Sequence, residues 1–101
     1  MIKLEIISLR KIGDRVAPQF FNSDLGIKEY IKNNFQNSGK LISISSEVSE
    51  DYTTETKTLI FKSREDYDEF EKDKVLQYQN IIQERYSKYY GITFNKSISE
   101  L

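Results

Sequence analysis

Thr56-Lys57-Thr58-Leu59-Ile60-Phe61-Lys62-Ser63-Arg64-Glu65-Asp66-Tyr67 reads as a strand that runs directly into a helix. Thr56, Thr58 and Ile60 alternate with Lys57, Leu59 and Phe61, the period of two of a strand, in the Thr and aromatic residues that strands favour. Ser63, followed three residues later by Asp66, is close to a capping box and opens a helix that turns Tyr67 and Phe70 inward. The rest of the chain is laid out on either side of this junction.

Upstream, Glu50 to Thr53 is polar and reads as a hairpin connection, preceded by a strand in which Ile42, Ile44 and Val48 alternate with Ser43, Ser45 and Glu47. Before it, Ile27, Tyr30, Ile31 and Phe35 share one helical face, with Ser23 or Asp24 as N-cap and Gly39 just past the end, which predicts a helix over about 24–37. Residues 10–23 lose periodicity and hold Gly13 and the single proline, Pro18, so they form a loop longer than most connections. The chain opens on a strand, with Ile2, Leu4 and Ile6 on one face and Ile7 and Leu9 continuing on the other. Downstream of the junction, Asp73 and Lys74 mark a break. An apolar stripe then resumes at Val75, Tyr78, Ile82, Tyr86 and Tyr89, and Gly91 stops the helix. Ile92 and Phe94, with Ile98, give a last, edge strand. The pattern predicts one α+β domain over 1–101, ordered β-α-β-β-α-β. This is the split βαβ or ferredoxin-like arrangement, a four-stranded antiparallel sheet with helices on one face.

Composition narrows the function classes. Fifteen basic residues against 16 acidic give a net charge of -1, without the basic excess of a polyanion binder, so nucleic acid is not an expected partner. No charged and apolar leader and no apolar run near the ~20 residues a bilayer requires are visible, so the chain is expected to be soluble, off the membrane and cytoplasmic. The bias toward Ile, Lys, Asn, Ser and Tyr reads as AT-rich coding, as in many phages and AT-rich bacteria.

The chain has neither His nor Cys. Ser-His-Asp and Cys-His arrangements and thiolate nucleophiles are therefore excluded, and a zinc site would have to use carboxylates alone. Glycines at 13, 26, 39 and 91 fit no phosphate-binding loop. The charged run from Arg64 to Lys74 has its acids at a helix N-terminal end, where the dipole favours them, and reads as a solvated face rather than a metal site. No metal and no cofactor are expected, and no residue is assigned a catalytic role.

Three surfaces could carry function. The loop holding Arg10, Lys11, Arg15, Phe20 and Phe21 combines basic and aromatic residues, either to bind a ligand or partner or to fold its phenylalanines over one end of the core. Tyr67, Tyr78, Tyr86, Tyr89 and Tyr90 stand at helical spacing, as core or interface residues. The sheet face away from the helices would show Ile7, Leu9, Leu41, Ser43 and Ser45, too apolar at one end for an ideal solvent surface. That face predicts a homodimer formed sheet to sheet.

In Leu59-Ile60-Phe61-Lys62-Ser63-Arg64-Glu65-Asp66-Tyr67, in Tyr86 to Ile92 (YSKYYGI) and in element order, the chain resembles the dimeric α/β-barrel group of ferredoxin-like domains. The resemblance implies sheet-to-sheet pairing. It also implies relatives that include cofactor-free monooxygenases, haem-degrading enzymes and small-molecule isomerases. Without His, this chain offers no His haem ligand and no His-based acid-base step of the kind those enzymes use. The expected function is a non-enzymatic accessory or regulatory protein acting through a protein partner or a small bound ligand. The alternatives are a cofactor-independent monooxygenase or isomerase using Tyr or Asp/Glu, and a nucleic-acid-binding module using the Arg10–Arg15 loop.

Overall fold

The computed structural model describes residues 1–11, 20 and 24–101. It is an α+β domain in which β1 (Ile2–Leu9), β2 (Leu41–Val48), β3 (Thr54–Phe61) and β4 (Thr93–Glu100) form one open antiparallel sheet in the order β2-β3-β1-β4. Helix α1 (Leu25–Ile31), continued by a π turn (Lys32–Gln36), lies between β1 and β2, and α2 (Arg64–Lys72) and α3 (Lys74–Tyr90) lie between β3 and β4.

Antiparallel partners share a face, so the register sorts the sheet into rows. On the helix side the first row is Leu41, Phe61, Ile2 and Glu100, and the second is Ile44, Leu59, Leu4 and Ile98. The third is Ser46, Lys57, Ile6 and Lys96, and the fourth is Val48, Glu55, Ser8 and Phe94. The first two rows are apolar except for Glu100 at the edge, the last two mix Lys, Glu and Ser with apolar residues, and the core sits on the first pair. Ile2, Leu4, Leu41, Leu59 and Phe61 pack there against Phe35, Tyr67 and Leu76 from the helices. Edge-on ring contacts of Phe70 with Phe35 and with Phe61, both at 5.1 Å between centroids, lock the two helical layers at that end.

One strand departs from simple alternation. The register shifts between Leu41 and Ser43, which inserts Ile42 as an extra residue and turns it outward, 51% exposed. Leu41 and Ile44 consequently both face the helices, where strict alternation puts Ile42 and Ile44. Leu41 is 1% exposed and opposite Phe61. Its expected place on the open face is corrected by this bulge.

The helix ends follow their side-chain chemistry. Asp24 Oδ1 accepts from Ile27 N (2.9 Å) to start α1, and Ser63 Oγ accepts from Asp66 N (3.2 Å) while donating to Asp66 Oδ2 (2.9 Å) to start α2. The break at Asp73 is real: its backbone is extended, and its carboxylate starts α3 by accepting from Leu76 N (3.1 Å). Gly91, at φ 69°, ends α3 in the left-handed conformation that glycine adopts without strain. The π turn is marked by Asn37 N donating to Lys32 O (2.8 Å), and its extra residue per turn brings Phe35 inward where it is 2% exposed.

The phase of α3 also differs from the sequence reading. Leu76 and Ser87 are its buried residues, whereas Val75, Tyr78, Ile82 and Tyr89 lie on exposed flanks, Tyr78 and Tyr89 at 66% and 82%. Of the five tyrosines placed in the core or an interface, Tyr67 is buried and Tyr86 half-buried; Tyr78, Tyr89 and Tyr90 are on the surface. The sheet-facing stripe of α3 is instead Leu76, Gln79, Asn80, Gln83 and Ser87, at the spacing of one helical face.

Candidate ligand cleft

That amide stripe stands across a gap from the sheet. A helix that closes a core carries Leu or Ile at such positions; amides cannot be pressed dry onto apolar floor without leaving their N–H and C=O groups unpaired. The result is a cleft of about 280 Å³ between α1, α3 and the sheet. Leu4, Ile6, Ile44, Ser46, Lys57, Leu59 and Lys96 form its floor. Ile27, Lys28 and Ile31 line it from α1, and Phe70, Glu71, Leu76, Gln79, Asn80 and Gln83 from the other helices.

The cleft has a direction. It begins at the aromatic lock and runs along β1 from Leu4 to Ile6, along β3 from Leu59 to Lys57, and along α3 from Leu76 through Gln79 and Asn80 to Gln83. On α1, which runs the opposite way, the same course leads from Ile31 to Ile27 and Lys28. The floor and the α3 wall therefore pass together from apolar to polar, and the α1 wall adds Lys28 beside Ile27 at the polar end. The apolar end is pinned by Tyr30, whose hydroxyl donates to Asp73 Oδ2 at 2.6 Å and ties α1 to the α2–α3 junction.

In the third row, Lys57 and Lys96 are the two partners of Ile6 and so stand on either side of it. Paired antiparallel residues lie ~5 Å apart, which places the two lysine Cα atoms roughly 10 Å apart with their side chains on the cleft side. Lys57 Nζ lies 3.7 Å from Glu55 Oε1. Lys28 and Lys96 form no ion pair among the described residues. The lining carries three ammonium groups against one carboxylate, Glu71, which sits next to Phe70.

The titratable groups that are clearly perturbed serve the fold. Tyr30 is raised by its hydrogen bond to Asp73, Tyr67 by burial and then by Glu71, and Tyr86 by burial. Asp51 is lowered to about 2 by hydrogen bonds from Ser49 and Thr53 in the β2–β3 turn. There Asp51 Oδ1 accepts from Ser49 Oγ (2.6 Å), Thr53 Oγ1 (2.7 Å) and Thr53 N (3.1 Å), holding Tyr52 at a left-handed φ of 59°. No group of three metal-ligating side chains occurs among the described residues, and no helix among them is long and apolar enough to cross a membrane.

Of the residues singled out in the first loop, Arg10 is held in place. Its backbone N–H donates to Thr53 O (2.9 Å), its Nε donates to Tyr52 O, and its guanidinium stacks 4.7 Å over the ring of Phe20. Phe20 is buried at 7% exposure, and Lys11 is exposed. Arg15 and Phe21 lie outside the described residues. On the sheet face away from the helices, Leu9, Ser43 and Ser45 are exposed, and Ile7, Thr56, Thr58, Ile60 and a Lys3–Glu5 ion pair (3.6 Å) are half-buried.

Sequence reasoning missed the cleft residues. Two signals were present: Lys57 shares the inward parity of Leu59 and Phe61, and Gln79, Asn80 and Gln83 share the phase of Leu76 and Ser87. Both are polar residues on core-facing positions. A scan against protein-family models and searches of curated proteins and of solved structures returned no match, so the resemblance to the dimeric α/β-barrel group rests on the element order and the two sequence stretches quoted for it.

Proposed function

We propose that this chain is a non-enzymatic ferredoxin-like domain that binds a small, partly apolar molecule in the cleft between its sheet and its helices. The ferredoxin-like assignment is supported by the β-α-β-β-α-β order, with the second helix broken at Asp73, and by the β2-β3-β1-β4 antiparallel sheet. The observation that carries the functional reading is the amide stripe Gln79, Asn80 and Gln83, facing an apolar floor across 280 Å³ of unfilled space. An apolar concavity with a few convergent polar groups is the usual form of a small-molecule site. The non-enzymatic reading is supported by a sequence with neither His nor Cys, which offers no imidazole base and no thiolate nucleophile.

Indole tests the reading. The chain contains no Trp, so indole excited at the red edge of its absorption, beyond that of the seven tyrosines, can be followed without competing indole emission from the protein. A saturable, one-to-one blue shift is expected, and it should be abolished by Gln83→Phe, which fills the cleft from α3 while circular dichroism stays unchanged. Absence of saturable binding, or equal binding to the filled variant, would overturn it.

A further inference from the structure

We infer that the ligand of this cleft is an amphipathic anion, a carboxylate carried on a short apolar body, with its head at the lysine row. The inference rests on the cleft reading above and adds the charge and orientation of what binds. The floor and the α3 wall change from apolar to polar in the same direction and α1 adds Lys28 at the polar end, so a molecule lying along the strands meets Leu4, Leu59, Ile31 and Leu76 at one end. At its other end it meets Lys57, Lys96 and Lys28.

A lysine side chain spans about the distance from either flank of Ile6 to its centre, so Lys57 and Lys96 can both reach one anion seated above that residue. Part of the charge of Lys57 is offset by Glu55. Lys96 and Lys28, with no ion pair among the described residues, supply most of the positive potential. The amides of Gln79, Asn80 and Gln83 add N–H donors from the facing wall. Glu71, beside Phe70, repels an anion that enters head first and so favours one orientation. A volume of about 280 Å³ is at the small end for a ligand pocket. It suits a medium-chain fatty acid or a small aromatic acid.

The experiment compares octanoate with octanol, which share an apolar body and differ in the charged head, by calorimetry on the intact chain and on Lys96→Met. Lys96 is exposed on an edge strand, so its replacement should leave the fold intact. Octanoate is expected to bind about tenfold more tightly than octanol at low salt, with the advantage shrinking as salt is raised. Lys96→Met should remove most of that advantage. Saturable binding of both at equal affinity, insensitive to Lys96→Met and to salt, would overturn the anion inference and leave the cleft reading standing. Binding of neither would overturn both.

Discussion

Tyr30 Oη donates to Asp73 Oδ2 at 2.6 Å, while the other oxygen of the same carboxylate accepts from Leu76 N at 3.1 Å. One side chain thus starts α3 and anchors α1, and it sits at the single residue separating α2 from α3. This link fixes how far apart the cleft walls stand at their apolar end.

Removing the parts of this link should have graded effects. Tyr30→Phe loses one hydrogen bond to a charged acceptor and is expected to lower the urea midpoint slightly. Asp73→Ala loses that bond and the cap as well and should cost about 2 kcal/mol. Asp73→Asn keeps one acceptor, Oδ1, for Leu76 N and puts an amide donor where Tyr30 now donates, so it should lie between wild type and Asp73→Ala. Urea denaturation of the three variants gives the order.

Ser63→Ala removes the acceptor for Asp66 N and is expected to destabilise the chain by about 0.5–2 kcal/mol, the usual cost of losing an N-cap. An unchanged urea midpoint would mean that α2 is held by the Phe61, Tyr67 and Phe70 rings alone.

Leu41 and Leu9 give opposite expectations although both are leucines in strands. Leu41→Ala opens a cavity opposite Phe61 and should cost about 2–5 kcal/mol. Leu9→Lys, at a position 43% exposed, should lie within about 0.5 kcal/mol of wild type. Equal effects would contradict the register shift at Ile42.

How much of this was legible depends on which signals are local. The Ser63 and Asp24 caps, the break at Asp73 and the Gly91 stop follow from side-chain chemistry within one turn, and each lies where the sequence reading places it. The bulge at Ile42 adds one residue to a strand whose pattern, Leu41-Ile42-Ser43-Ile44, permits two alternations, and pairing with Phe61 selects between them. The phase of α3 was ambiguous for a related reason. Val75, Tyr78, Ile82, Tyr86 and Tyr89 make the more apolar stripe, yet the anchored Asp73 cap and the packing of Leu76 turn the amide stripe to the sheet. Periodicity finds the most apolar face, and here tertiary contacts chose another, which is why the cleft was not foreseen.

Acid should weaken the β2–β3 turn selectively. Asp51, lowered to about 2 by Ser49 and Thr53, contributes stability that is present above the ordinary carboxylate value, near 3.9, and is lost as pH falls toward about 2. The difference in melting temperature between wild type and Asp51→Ala should therefore be largest near neutral pH and close as the pH is lowered through that window. A gap independent of pH would contradict the hydrogen-bonded carboxylate.

The most direct test of the cleft is a titration of the ¹⁵N-labelled chain with octanoate, followed through the side-chain amide resonances. The signals of Gln79, Asn80 and Gln83 should move together along one saturable curve, while those of Gln36, in the π turn, and Asn95, on the opposite face of the sheet, stay in place. Shifts confined to Asn95 and the backbone amides of Ile7 and Thr56, with the three α3 amides still, would contradict it.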